Sequence, residues 1–206
     1  MKVESIMVTG ANRGIGLEFV RQLSQLNEPP RFIFATYRND DTLKDLREIE
    51  ESSTKTKIIL IKMDVTNPEE REEGPKTMLP LLERAAKLHS SADTLSVSRA
   101  AVLNMSSIAG SIANVGVVFR RDLVVPAYKI SKAALNMAMR VIATSVKDKG
   151  ILVILMCPGW VRTPMGTQKA VLEPEESIGT MIKTLPKLNE SHHGVFIDRT
   201  GNPYPY

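Results

Sequence analysis

Cysteine is nearly absent: Cys157 is the single one in 206 residues, so no disulfide can form within the chain, and a reducing compartment is expected. It ends the apolar run Ile151–Cys157, where a small buried hydrophobe is a simpler reading than a nucleophile. No stretch approaches the roughly 18 consecutive apolar residues of a membrane span. Met1-Lys2 leads almost directly into a strand-like segment, without the apolar core of a secretory leader. These absences predict a cytoplasmic location without membrane attachment. The three histidines, His89, His192 and His193, lack the spacing of a metal site, so no metal is expected. There is no strong charge bias either: 27 basic residues against 23 acidic ones leave a scattered net +4, which argues against a nucleic-acid partner. No internal repeat, low-complexity tract or interdomain linker interrupts the chain.

What the chain does have is 43% apolar and 24% charged residues, enough to bury a core within a single globular domain spanning 1–206. Val3 to Thr9 reads as a strand running into Gly10; helix-period positions Ile15, Phe19, Leu23 and Leu26 follow, until Asn27-Glu28-Pro29-Pro30 stops the pattern. Phe32 to Tyr37 reads as a second strand, Asp40 to Glu50 as a helix and Lys57 to Met63 as a third strand. After Asp64 the acidic stretch Pro68 to Pro75 has no apolar periodicity, and the next helix is predicted from Lys76 to His89. A strand at Ala100–Met105, a long helix at Ala127–Lys147, a strand at Ile151–Cys157, a helix at Pro174–Leu185 and an edge strand at Val195–Ile197 complete the order, before the stiff tail Pro203–Tyr206. This alternation predicts an α/β fold with a parallel sheet covered by helices.

The segment Thr9-Gly10-Ala11-Asn12-Arg13-Gly14-Ile15-Gly16 places three glycines where the first strand gives way to a helix. Glycine permits close backbone approach, and free N–H groups at the positive end of a helix attract an anion, so a dinucleotide diphosphate suits this turn. No Gly-x-x-x-x-Gly-Lys-Ser/Thr occurs, which argues against an ATP-hydrolysing loop. With its Gly-x-x-x-Gly-x-Gly spacing the segment resembles the turn of the short-chain dehydrogenase/reductase family. The resemblance implies a Rossmann-type doubly wound parallel sheet, with Gly10, Asn12, Arg13, Gly14, Ile15 and Gly16 around the cofactor. At the end of the second strand an NAD enzyme would carry an acidic residue, whereas this chain has Tyr37-Arg38. Arg38, with Arg13 in the turn, can neutralise a 2′-phosphate, so NADP(H) is the expected cofactor. Asp64-Val65 after the third strand matches the position where the family meets the adenine.

Tyr128-Lys129-Ile130-Ser131-Lys132 puts a phenol and an ammonium at i and i+4 of a predicted helix, hence on one face. Tyrosine is a reluctant acid-base group at neutral pH, and a nearby ammonium favours its phenolate form. Upstream, Val102-Leu103-Asn104-Met105-Ser106-Ser107 resembles the family's catalytic-serine segment, with Ser107 at the active position. Downstream, Cys157-Pro158-Gly159-Trp160-Val161-Arg162-Thr163 resembles the segment that meets the nicotinamide carboxamide, through Pro158, Gly159, Val161 and Thr163. The resemblance therefore implies that Tyr128, Ser107 and Lys132 are catalytic. Hydride would pass to a small-molecule carbonyl, Tyr128 would give the proton, Ser107 would hold the oxygen, and Lys132 would also hold the nicotinamide ribose. Met78-Leu79-Pro80-Leu81-Leu82, the Asn104–Ile108 segment and Phe196-Ile197-Asp198 look most like the sniffer-type carbonyl reductases. The insertion holding Val117-Val118-Phe119-Arg120-Arg121 is expected to form a loop over the substrate.

One family element is missing. Between Asp64 and Ser107 the family has a further strand ending in Asn-Asn-Ala-Gly and a helix bearing a catalytic asparagine. This chain has neither and is roughly 30 residues, about one βα unit, short there, with Glu73-Gly74-Pro75 as the apparent junction. The lost strand would lie beside the first, so either the sheet closes up or something fills the slot. The alternative to an active reductase is thus a non-catalytic truncated isoform or deletion variant. Family members often form dimers or tetramers through the helices flanking the serine strand; one of these, Lys76 to His89, is short here, which leaves a homo-oligomer open.

Overall fold

A computed structural model describes residues 2–88, 94–116 and 125–206 and, for residues 70–76, the backbone alone. Six strands and five helices occur among them: β1 (Ser5–Val8), α1 (Gly14–Ser24), β2 (Phe32–Tyr37), α2 (Lys44–Ser52), β3 (Lys57–Lys62), α3 (Pro68–Leu88), β4 (Ala101–Met105), α4 (Pro126–Val146), β5 (Leu152–Cys157), α5 (Pro174–Thr184) and β6 (Phe196–Asp198). The expected α/β alternation is present, and every strand pair is parallel. His89 and the insertion around Val117–Arg121 lie outside the described residues. Among the described residues no helix is long and apolar enough to cross a membrane.

The chain divides into two compact units. The first comprises residues 1–81 and 160–182, the second residues 82–159 and 183–206. In the first, β1-β2-β3 form a sheet whose register sets Val8 beside Ala35 and Ala35 beside Leu60. Apolar residues Leu17, Val20 and Leu23, spaced at helix period on α1, are buried together with Ile33, Leu46, Ile58, Ile178 and Met181. Glu18 is also buried; its carboxylate accepts from Arg21 and from Gln22 Nε2, which also donates to the Glu175 carbonyl and so ties α1 to the start of α5.

In the second unit, β4-β5-β6 form a sheet in which every residue of β5 is buried. Such a continuous apolar strand is what a parallel sheet covered on both faces requires. The tail is anchored here. Ile197 bridges Pro203, the rings of Tyr204 and Tyr206 lie 5.3 and 6.2 Å from that of Phe196, and the Pro205 and Tyr206 carbonyls accept from Ser111 Oγ and the Ala113 amide. Cys157 is buried as expected, its sulfur accepting from the Ile108 amide. Burial, partly offset by hydrogen bonds from the Gly159 and Ile108 amides, pushes its thiol pKa up. His193 accepts from the Val153 amide and donates to the Ala143 carbonyl, so its ring has a bridging role.

Two expectations are corrected. The helix predicted from Lys76 begins eight residues earlier, at Pro68, and passes through the supposed junction Glu73-Gly74-Pro75. Asn67 Oδ1 accepts from the Glu69 amide, and Pro68 needs no hydrogen-bond partner in the first turn, so the start signal is a cap followed by proline and needs no apolar stripe. The helix predicted from Asp40 begins at Lys44; Asp40–Thr42 form a single 3₁₀ turn capped by Asn39. The missing strand has its own outcome. Among the described residues β1 ladders only with β2, and β4 only with β5. Accordingly Ile6, Met7 and Val8 of β1 and all five residues of β4 are half-buried, unlike β5.

Candidate active site

The cofactor-binding candidates Gly10, Asn12, Arg13, Gly14, Ile15, Gly16, Arg38, Asp64, Val65, Val161 and Thr163 fall in the first unit. The glycine turn is tied to β2 by Gly10 N–H donating to Thr36 Oγ1 at 3.3 Å and Ala11 N–H to the Thr36 carbonyl at 2.8 Å. It then turns into α1 so tightly that a Cβ on Gly16 would lie 2.3 Å from the Gly10 carbonyl oxygen. Arg13 stands at the N-cap and supplies no side-chain cap, and no acidic residue occupies the first turn. The opening amides of α1 are thus the donors a helix leaves without intrahelical partners. This is a cradle that fits a diphosphate.

Around this turn, Asn12 Nδ2 donates to Thr42 Oγ1 at 2.5 Å, and Thr163 packs so close that a Cβ on Gly14 would meet its Cγ2 at 3.5 Å. Thr163 Oγ1 accepts from the Gly166 amide, and Val161 is held by a bridge to Leu172, so the segment reaches the turn on a fixed path. Arg13 and Arg38 are both exposed and form no ion pair among the described residues. Asp64 accepts from the Thr66 amide and hydroxyl; these bonds, with the Arg38 charge, outweigh partial desolvation and lower its pKa. Val65, beside it, is 60% exposed.

The catalytic candidates Ser107, Tyr128 and Lys132, with Pro158 and Gly159, fall in the second unit. Ser107 follows β4 and caps a 3₁₀ turn, Ile108–Gly110, its Oγ accepting from the Ala109 amide at 3.2 Å. That turn packs on α4, where Lys132 Nζ lies 5.8 Å from the centre of the Tyr128 ring. The same ammonium donates to the Met105 carbonyl at 2.8 Å, and burial lowers its pKa. The Tyr128 side chain remains part-exposed. Pro158 is buried at the end of β5, and Gly159 follows it with φ +85°. Sequence reading passed over Thr36, Thr42, Ser106 and Asn136, which support these residues across large sequence separations.

The chain is similar to known proteins in sequence and in fold. Residues 4–92 and 89–173 match the family model of short chain dehydrogenase. The carbonyl reductase Sniffer of D. melanogaster superposes with a TM-score of 0.88 at 29% identity, over 99% of this chain and 100% of that one. An NADPH-bound carbonyl reductase from chicken fatty liver superposes at 0.87 and 29%, over 100% and 95%. The C-signal of Myxococcus xanthus is 41% identical over 80 residues, 39% of this chain and 48% of that protein. An oxidoreductase of Schizosaccharomyces pombe is 26% identical over 97% of this chain and 96% of its own. That alignment runs for 253 positions although this chain has 206 residues, so the relative carries chain where this protein has none. A Rossmann-type α/β fold, a glycine turn opening α1 and a Tyr-x-x-x-Lys pair on α4 are thus joined to a family match over most of the sequence, and the chain belongs to the short-chain dehydrogenase family, among oxidoreductases similar to the carbonyl reductases.

Proposed function

We propose that the chain is an NADPH-dependent carbonyl reductase acting in the cytoplasm on a small-molecule aldehyde or ketone. The observation that carries this reading is the pairing of Lys132 with Tyr128 on one face of α4, with the Ser107 turn packed on that helix. The amides opening α1 would hold the diphosphate, Arg13 and Arg38 the 2′-phosphate, and Asp64 and Val65 the adenine. When bound, NADPH supplies the hydride. Ser107 Oγ donates a hydrogen bond to the carbonyl oxygen, and the Tyr128 hydroxyl gives that oxygen its proton. Lys132, whose ammonium stands 5.8 Å from the centre of the Tyr128 ring, would also hold the nicotinamide ribose.

The test is carbonyl-dependent NADPH consumption by the purified chain. Tyr128→Phe should lower turnover by about 10²- to 10⁴-fold with little change in NADPH affinity. Undiminished turnover in that variant would refute the assignment of Tyr128.

A second reading, a non-catalytic deletion variant, is favoured by β1 and β4 each laddering on one side only. It predicts a chain that binds no NADPH and melts without a cooperative transition. A homo-oligomer is also proposed, because α4 exposes Ile130, Met137 and Val141 along one stripe and α3 exposes Leu81 and Leu88. Sedimentation equilibrium at two concentrations decides it; a mass of 22.8 kDa throughout would refute it.

A further inference from the structure

The strand that delivers Ser107 ends in two serines, and the reading above uses only the second. Ser106 is 3% exposed, and its hydroxyl donates to Asn136 Oδ1 at 2.5 Å. Asn136 is the polar member of the three buried residues of α4 and is likewise 3% exposed. Its Nδ2 donates to the Gly110 carbonyl at 3.3 Å. Only this orientation of the amide serves both neighbours: turned over, it would set an oxygen against the Gly110 carbonyl and remove the acceptor from Ser106.

These bonds bracket Ser107. Before it, Lys132 Nζ holds the Met105 carbonyl and Asn136 holds Ser106; after it, Asn136 holds Gly110. Gly110 itself approaches α4 so closely that a Cβ there would lie 2.7 Å from the Lys132 carbonyl carbon. Between these anchors the Ser107 carbonyl accepts from the Gly110 amide at 2.8 Å and the Ser107 Oγ from the Ala109 amide at 3.2 Å, which together fix the direction of the side chain. Tyr128, Lys132 and Asn136 stand at i, i+4 and i+8, so three successive turns of one helix face address the same strand end. An apolar side chain would serve core packing at this buried helix position without the desolvation of an amide. Both groups that Asn136 satisfies belong instead to the segment carrying Ser107.

We infer that Asn136 is a positioning residue whose bonds to Ser106 and Gly110 hold the Ser107 hydroxyl in register with Tyr128 and Lys132. The inference rests on the carbonyl reductase reading and deepens it.

Asn136→Leu, which keeps the volume and removes both bonds, should lower kcat about 10- to 100-fold while the KM for the carbonyl and the affinity for NADPH stay near wild type. Ser106→Ala, a smaller change that spares the fold, should reproduce part of the loss. Asn136→Asp should be active only while its carboxyl is protonated and able to donate to Gly110. Its kcat then falls as pH rises, along a limb absent from the wild-type profile, which a purely structural role would not produce. Amide exchange supplies a readout independent of turnover: the Ala109 and Gly110 N–H groups, which donate to Ser107, should exchange faster in Asn136→Leu while those of β5 do not. Variants with wild-type kcat, or with unchanged exchange at Ala109 and Gly110, would overturn the inference. A wild-type chain without carbonyl-dependent NADPH consumption would overturn the reductase reading instead, and the exchange measurement would still decide the clamp.

Discussion

Replacing Gly16 by alanine tests the cofactor cradle at its tightest point. The added Cβ would lie 2.3 Å from the Gly10 oxygen, 2.9 Å from the Gly10 carbonyl carbon and 3.1 Å from Ala11 Cα, whereas ordinary contacts begin at 3.4 Å. All three neighbours are backbone, so no rotamer change relieves the clash and the turn must retreat by about 1 Å. Overpacking of this kind costs about 1–3 kcal/mol. For a chain of this size that lowers Tm by about 2–12 °C. The retreat also pulls on Gly10 and Ala11, whose amides bond Thr36, and so moves the opening amides of α1 away from a bound diphosphate. Gly10→Ala is the matched control. A Cβ there meets nothing within 4 Å, and its cost is the left-handed φ of +63° alone, about 1–2 kcal/mol. Thermal melts with and without NADPH measure both effects, since saturating ligand at about 100 times its Kd adds about 2.7 kcal/mol of stability to a competent site. Gly16→Ala should melt lower and lose the NADPH-induced rise, while Gly10→Ala should retain part of it. An intact ligand response in Gly16→Ala would refute the cradle argument.

Arg38→Asp should weaken NADPH binding by about 1.5–3 kcal/mol, a factor of about 10 to 150, and leave NADH binding equal or better, as read by fluorescence titration. An equal loss for both nucleotides would remove Arg38 from the 2′-phosphate site. Burial alone would raise the pKa of Asp198, but four hydrogen bonds from Thr200 and Asn202 lower it below the ordinary 3.8. A depressed folded pKa means stability that is fully present above pH 3.8 and is lost as pH falls through the folded value. The gap in Tm between wild type and Asp198→Ala should therefore be constant at neutral pH and close in acid below 3.8; a gap that widens in acid would contradict the sign.

The strands were legible because each is a short apolar run, and the glycine turn and the Tyr128–Lys132 pair were legible because their meaning lies within a few residues. The start of α3 was missed because its signal is the cap at Asn67 and the proline after it, while periodicity over Pro68–Pro75 is silent. The Ser106–Asn136 bond joins residues 30 positions apart, so nothing local in either segment announces it. The same holds for Gly10 and Thr36, 26 positions apart. A shortfall of about one βα unit between Asp64 and Ser107, against the family pattern, was readable from spacing. Its outcome, two three-stranded ladders, was not, because strand pairing is settled by partners distant in sequence.

One-sided pairing of β1 and β4 bears on solution behaviour. Natural sheets blunt their outermost strands with lysine, proline or a bulge. Ser5-Ile6-Met7-Val8 and Ala101-Val102-Leu103-Asn104-Met105 contain neither a charge nor a proline, and each lacks a ladder partner on one side among the described residues. Where such a rim meets solvent it can template accretion of further chains, so crowding favours insoluble growth, and a single lysine placed on either rim should then raise the concentration at which the protein stays dispersed.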